Sequence, residues 1–307
     1  MNCKFRDWPA INNRLVKQGV ILLDVGCLVD WKNELGSMNA GKEGSRFKYP
    51  SCVISFAGVL HCVMRLGFRQ VEGLLDYLLK PVKQPVPDYS TVNRRFNKLP
   101  VRLQSKRKST ESLWVAIDSS GISVTNRGEW LRKVHRNGQI SECKGFIKIH
   151  VSVDVRSGEL VGFEVTTDKV GDNRMFKPLL LDSIQNTQGE LDRVFADGSY
   201  DDWRNFQMLH EMNVEAGIKI DKNADISKPP DSFRNRRRGE PIRRQHARIQ
   251  LADYDKWKEK LQYGLRWLAE TFFSTFKRRF GEYVMARKYS NMQHELYWKA
   301  QLYNQLL

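Results

Sequence analysis

Apolar positions recur at helical spacing through the first hundred residues. SCVISFAGVLHCVMRLGFRQVEGLLDYLLK (51–80) reads as helix interrupted near Gly67. PVKQPVP (81–87) stops it, because proline lacks a donor and restrains the residue before it. DYSTVNRRFNKL (88–99) then predicts a short helix, capped by Asp88 or Ser90, with Arg94 and Arg95 outward. After the cationic link RLQSKRKS (102–109) the period shortens to two. SLWVAIDSSGISV (112–124) is β-rich, and GFIKIHVSVDV (145–155) alternates, with Lys148, His150, Ser152 and Asp154 on the side expected to be exposed. LVGFEVTT (160–167) follows the turn RSGE, which predicts a hairpin. Helix is expected over 173–186 and 201–213, with Asp172 and Asn173 capping the first and Asp201 and Asp202 the second. Strands are expected at 191–200 and 214–220, and a last amphipathic helix at 291–307. Antiparallel strands, then alternating helix and strand, predict an α/β core behind an all-α N-terminal region.

The stretch YGLRWLAETFFSTFKRRFGE (263–282) carries two stripes. Leu261, Leu265, Leu268, Phe272, Phe276 and Phe280 form a core face. Tyr263, Arg266, Glu270 and Lys277 are separated by 3, 4 and 7 positions. On one helix they would share an arc of roughly 60°.

Composition narrows the chemistry. Fifty-one Lys and Arg against 35 Asp and Glu give a net charge of +16 over 307 residues, and a chain that basic points to a polyanion such as nucleic acid. The basic residues cluster: FRNRRRGEPIRRQHAR (233–248) includes Arg236, Arg237 and Arg238, and the span 221–250 reads as an exposed basic insertion that binds phosphate. Helix, break and short basic helix at 51–99 are compatible with a helix-turn-helix DNA reader. Five scattered Cys, without C-x-x-C spacing, exclude a disulfide framework or a zinc site and fit a reducing cytoplasm. No apolar run approaches a membrane span, and the opening MNCKFRDWPA lacks a secretory signal.

Three acidic residues stand apart. Asp118 follows LWVAI in a strand, Asp197 ends the apolar run RVFA, and Glu270 lies on the two-striped segment. Carboxylates gathered on a rigid sheet repel one another and invite hard cations with oxygen ligands. With no His or Cys cluster beside them, Mg²⁺ suits this donor set, and Mn²⁺ also fits.

At these residues the chain resembles the DDE transposases of insertion sequences, of the broad insertion-sequence-4 and -5 type. Tyr263, Arg266, Glu270 and Lys277 match the family's signature at every spacing, and VAIDSSG and VFADGSYDD resemble its aspartate motifs. The likeness extends over about 110–307. It implies a ribonuclease-H-like catalytic domain over 110–307 behind a helical DNA-binding region over 1–105. Asp118, Asp197 and Glu270 would be the catalytic metal ligands, holding two Mg²⁺. Arg266 and Lys277 would contact DNA phosphate, and Tyr263 would orient DNA or support a ligand carboxylate. The implied reaction is metal-assisted cleavage at the element's ends, followed by transfer of the 3′-hydroxyl into target DNA. Partners would be double-stranded DNA, namely terminal inverted repeats and target, bound by a homodimer in the cytoplasm at the nucleoid. A related nuclease that never joins strands and a non-catalytic DNA-binding descendant are the alternatives.

Overall fold

The computed structural model describes residues 7–22, 26, 30–103, 105–106, 112–124, 131–136, 139–144, 146–224, 226 and 241–307. They fall into two compact units, one built from 1–102 with 285–306 and the other from 103–284 with 307. Among the described residues no helix is long and apolar enough to cross a membrane.

The first unit is helical: α1 (Trp8–Leu22), α2 (Trp31–Asn39), α3 (Ser51–Met64), α4 (Phe68–Leu79), α5 (Tyr89–Phe96) and the C-terminal α11 (Tyr289–Gln305). Arg65 ends α3 in the left-handed region, which sets the break expected near Gly67. Val53, Leu60, Val71, Leu75 and Val92 form the core between α3, α4 and α5. Asp88 caps α5 by accepting from the Ser90 and Thr91 amides. Arg94 is exposed, but Arg95, expected to face outward, turns inward instead. Its guanidinium donates to the Tyr49 carbonyl and, at 3.2 Å, to Ser51 Oγ, because the loop before α3 offers acceptors that solvent would otherwise have to satisfy. α11 joins this unit through His61 of α3, whose Nε2 lies 4.0 Å from the buried Glu295, and through Trp298, which packs on Phe96 with ring centroids 5.3 Å apart; Glu295 is itself paired with Lys299 at 2.7 Å.

The second unit is a five-stranded sheet of β1 (Leu113–Ser123), β4 (Phe146–Asp154), β5 (Leu160–Thr167), β6 (Leu191–Ala196) and β7 (Glu215–Ile218), in the order β5-β4-β1-β6-β7. β1, β4 and β5 are antiparallel neighbours, while β6 and β7 run parallel to β1. This is the ribonuclease-H-like arrangement. A separate hairpin of β2 (Leu131–Arg136) and β3 (Gln139–Lys144) is inserted between β1 and β4.

Helices cover both faces of the sheet. On one, α6 (Phe176–Thr187) and α7 (Trp203–Glu211) pack with Val115, Ile117 and Val194. α6 approaches so closely that a Cβ at Gly162 would stand 2.8 Å from the Leu179 carbonyl oxygen. On the other face, α9 (Tyr254–Leu261) and α10 (Trp267–Phe280) pack with Ala116 and Phe195. Covering both faces buries the polar side of β4, so His150, Ser152 and Asp154, expected to be exposed, are inside. Asp154 is satisfied locally by the Ser157 hydroxyl at 2.8 Å.

The basic span 221–250 also departs from an exposed loop. Its end is helix α8 (Pro241–Ala252), with Ala247 and Gln250 buried. The Gln250 amide bonds the Ile220 N–H and the Ile218 carbonyl, closing the end of β7. Arg236, Arg237 and Arg238 lie outside the described residues.

Candidate active site

The first two carboxylates are placed by strand register. Ala116 on β1 pairs with Phe195 on the parallel β6. Asp118 lies two residues beyond Ala116 and Asp197 two beyond Phe195, so both emerge at the same level. Alternation gives each the face of its partner two positions earlier, the face against α10. Asp197 leaves β6 and caps a 3₁₀ turn (Gly198–Tyr200), its carboxylate accepting the Ser199 amide at 2.9 Å.

The third comes from α10. Phe272, Phe276 and Phe280 bury one stripe of this helix against the sheet. Glu270 occupies its first turn, where the helix dipole favours a negative charge. The four signature residues do not share one continuous α-helix: Tyr263–Arg266 is a 3₁₀ turn, and the α-helix starts at Trp267. Gln262, in the left-handed region, separates this turn from α9.

Each signature residue bonds toward the carboxylates. Tyr263 is buried, and its hydroxyl donates to the Ala196 carbonyl at 3.0 Å, one residue before Asp197. That contact supports the Asp197 turn and leaves the phenol turned away from solvent. The Arg266 guanidinium hydrogen-bonds Glu270 and lies 3.6 Å from Asp118 Oδ2, bridging two of the three acids. Lys277 Nζ donates to Ser120 Oγ at 2.8 Å; Ser120 is two residues past Asp118 on the same strand face.

The electrostatics follow from this crowding. Burial pushes the Asp118 carboxyl up to about 6, and the negative charges of Asp197 and Glu270 push it the same way. The Ser119 amide and Arg266 oppose them. The site therefore calls for positive charge, and its donors are carboxylate oxygens, which suit a hard divalent cation. Among the described residues no three potential ligands are drawn together into a closed set. Arg266 supplies cationic charge between Asp118 and Glu270.

A cleft of about 760 Å³ opens beside them, lined by Asp197, Glu270 and Arg266. Three further cations, Lys219, Lys222 and Lys258, line the same cleft. None was legible as a site residue, because nothing in the sequence shows that the end of β7 and helix α9 face Glu270. Arg243 on α8 was missed as well. It binds Asp201 with two hydrogen bonds of 2.6 Å, so Asp201 is an ion-pair partner rather than a helix cap, whereas Asp202 does cap α7. Asp172 does not cap the helix it precedes either; it accepts from Ser119 and Lys148.

Comparison with known proteins gives the family. A family described as transposase DDE domain matches residues 110–305, and a second of the same description matches 16–127. Among solved structures, the Mos1 strand transfer complex is 13% identical over 76% of this chain and 79% of that one, with a TM-score of 0.26. The Drosophila P element transposase strand transfer complex is 9% identical over 91% of this chain and 70% of that one, with a TM-score of 0.32. The piggyBac transposase synaptic complex with hairpin DNA is 11% identical over 92% and 79%, with a TM-score of 0.30. Similarities this low leave the assignment to the family match over 110–305. With nearly two thirds of its length matched, the chain belongs to the transposase DDE domain family.

Proposed function

We propose that this cleft is the active site of a DNA transposase that cuts at the ends of an insertion sequence and joins the freed 3′-hydroxyl to target DNA. The carrying observation is the level placement of Asp118 on β1 and Asp197 just past the end of the adjacent parallel β6, with Glu270 tied to Asp118 through Arg266. These three carboxylates would hold divalent ions, two Mg²⁺ by the chemistry of the reaction, and Mn²⁺ would fit the same oxygen donors. Bound there, the ions would activate the attacking oxygen and stabilise the leaving oxygen of an in-line displacement.

The protein's own groups do the positioning. Tyr263 fixes the backbone before Asp197. Arg266 compensates the carboxylates and, once a metal takes over that role, is free to hold a phosphate oxygen. Lys277, Lys219, Lys222 and Lys258 supply further phosphate contacts, in keeping with the +16 charge of the chain. In this reading the helical first unit, with exposed Arg94, and the basic segment holding Arg236, Arg237 and Arg238 also bind double-stranded DNA. Two ends are paired by a homodimer in the cytoplasm, at the nucleoid.

The test uses end-labelled DNA from both flanks of the native gene, with Mg²⁺ or Mn²⁺ and Glu270→Gln as control. Cuts at a repeated boundary with joined products, both absent in the variant, are expected. Cuts without joining would make the protein a nuclease, and binding without cutting would make it a non-catalytic DNA binder.

A further inference from the structure

Behind Asp118 the sheet carries a second polar cluster that the proposed chemistry does not use. Residues directly opposite on antiparallel strands share a face, so Ser119 sits with His150 on the α6 side of the sheet, away from Asp118. There Ser119 Oγ donates to Asp172 Oδ1 at 2.7 Å. Lys148 Nζ reaches the same oxygen at 3.0 Å, and Nδ1 of the fully buried His150 lies 3.5 Å from it. The other ring nitrogen of His150 shares a hydrogen bond with Thr166 Oγ1 at 2.8 Å, which fixes the imidazole. The Ser119 amide, meanwhile, donates to Asp118 Oδ1 at 2.8 Å. One serine thus bonds two carboxylates, one through its hydroxyl and one through its amide.

Asn173, the next residue of the same turn, reaches the other aspartate's loop. Its amide donates to Asp202 Oδ2 at 2.8 Å, and its carbonyl oxygen accepts from Asn205 Nδ2 at 2.5 Å. Asn205 also donates to the Tyr200 carbonyl, inside the turn that Asp197 caps. One 3₁₀ turn (Asp172–Met175) therefore holds the strand of Asp118 with its first side chain and the segment after Asp197 with its second.

We infer that Asp172 and Asn173 are positioning residues that set the two active-site aspartates relative to each other, Asp172 through Ser119 and Asn173 through Asp202 and Asn205. The inference rests on the metal-binding reading of Asp118 and Asp197. Ligand carboxylates must be held to a fraction of an ångström, and loss of a supporting hydrogen bond typically weakens metal affinity 10- to 100-fold. Neither Asp172 nor Asn173 lines the cleft that Lys219, Lys222 and Lys258 line, so loss of either side chain should act on metal affinity rather than on DNA binding.

The experiment titrates the full-length protein with Mn²⁺, reading the rise in melting temperature without DNA and the metal dependence of DNA cleavage in parallel. Ser119→Ala, Asp172→Ala and Asn173→Ala should each raise the Mn²⁺ concentration at half-effect about tenfold in both readouts. Ser119→Thr, which keeps the hydroxyl, should restore the wild-type value. The double variant Ser119→Ala/Asp172→Ala should be no worse than Asp172→Ala alone, because that change already removes the Ser119–Asp172 hydrogen bond. Ser183→Ala removes a buried hydroxyl bonded to Ser152 Oγ and the Leu179 carbonyl on the same sheet face, and it should lower stability while leaving the half-effect concentration unchanged. The inference is overturned if the Ser119, Asp172 and Asn173 variants only lose stability, with Mn²⁺ half-points within twofold of wild type. A wild-type protein that neither binds Mn²⁺ nor cleaves would instead overturn the functional reading, and the inference with it.

Discussion

The guanidinium of Arg266 stands 3.6 Å from the carboxylate of Asp118, and the same group hydrogen-bonds Glu270. In the metal-free protein this arginine is the cation that makes neighbouring carboxylates tolerable. Arg266→Ala should therefore destabilise the metal-free protein by about 1 to 2 kcal/mol, because a half-buried, charge-assisted contact is lost. Added Mn²⁺ should shrink that deficit, since the ion replaces the missing charge. Thermal melts with and without Mn²⁺ check this; a deficit that grows with metal would show that Arg266 does not compensate these acids.

Asp118 gives a pH signature. Its carboxyl is raised to about 6 in the folded chain, first by burial and then by Asp197 and Glu270. A group with a raised folded-state value favours folding at low pH and loses that contribution as pH rises through the folded value. Asp118→Asn mimics the protonated form. It should melt higher than wild type at pH 7.5 without metal, and the difference should disappear near pH 4. Melts across that range, in a chelating buffer, are the measurement; a difference independent of pH would contradict the assignment.

Tyr263 and the Asp197 turn form a separable pair. Tyr263→Phe keeps the ring between Trp257 and the sheet but abandons the Ala196 carbonyl. The cost should be about 1 kcal/mol in urea unfolding, with a larger fall in cleavage because the lost bond lies one residue from Asp197. Tyr263→Ala should cost roughly 3 to 5 kcal/mol through the cavity it leaves. Equal stability of the Phe variant and wild type would show that the hydroxyl contact adds nothing.

How much of this was legible in the sequence depended on whether the cause was local. Asp118 stood out because it follows an apolar run within a strand, Asp197 because it closes one, and Glu270 because a polar stripe ran beside a stripe of Phe. Asp88 was legible as a cap because its partners are two and three residues away. His150 and Asp154 misled because alternation shows which residues share a face but not what covers that face, and here α6 does. Arg95 misled for the same reason: its acceptors, Tyr49 and Ser51, lie more than forty residues earlier. Asp172 looked like a cap because a helix follows it; its real partner, Ser119, lies 53 residues away. The run 241–252 looked like solvated arginines, yet Ala247 and Gln250 give it a buried side.

The clamp between Asp201 and Arg243 is nearly buried, with side-chain exposures of 7% and 16%. Removing one partner of such a pair strands the other charge, at a cost of roughly 3 kcal/mol. Asp201→Ala and Arg243→Ala should each destabilise by about that amount, and the double variant by clearly less than the sum. A double-mutant cycle in urea measures the coupling; additive losses would mean that the two side chains stabilise independently.

The cleft lysines make the sharpest statement about substrate. Lys219 and Lys222 come from the segment after β7 and Lys258 from α9, so three lysines from two elements line the cleft that holds Asp197 and Glu270. A structural account would have them merely solvated, and then their removal would leave DNA affinity unchanged. If each neutralises one phosphate, each should release counterions on binding, and the slope of log affinity against log salt should fall by about 0.9 per lysine on duplex DNA. The triple Lys→Ala variant should lose affinity for all sequences alike, because phosphate contacts carry no base information. Glu270→Gln in the same assay should keep the full salt slope while abolishing cleavage. A triple variant with a wild-type slope would place the DNA path elsewhere and leave the lysines as surface charge.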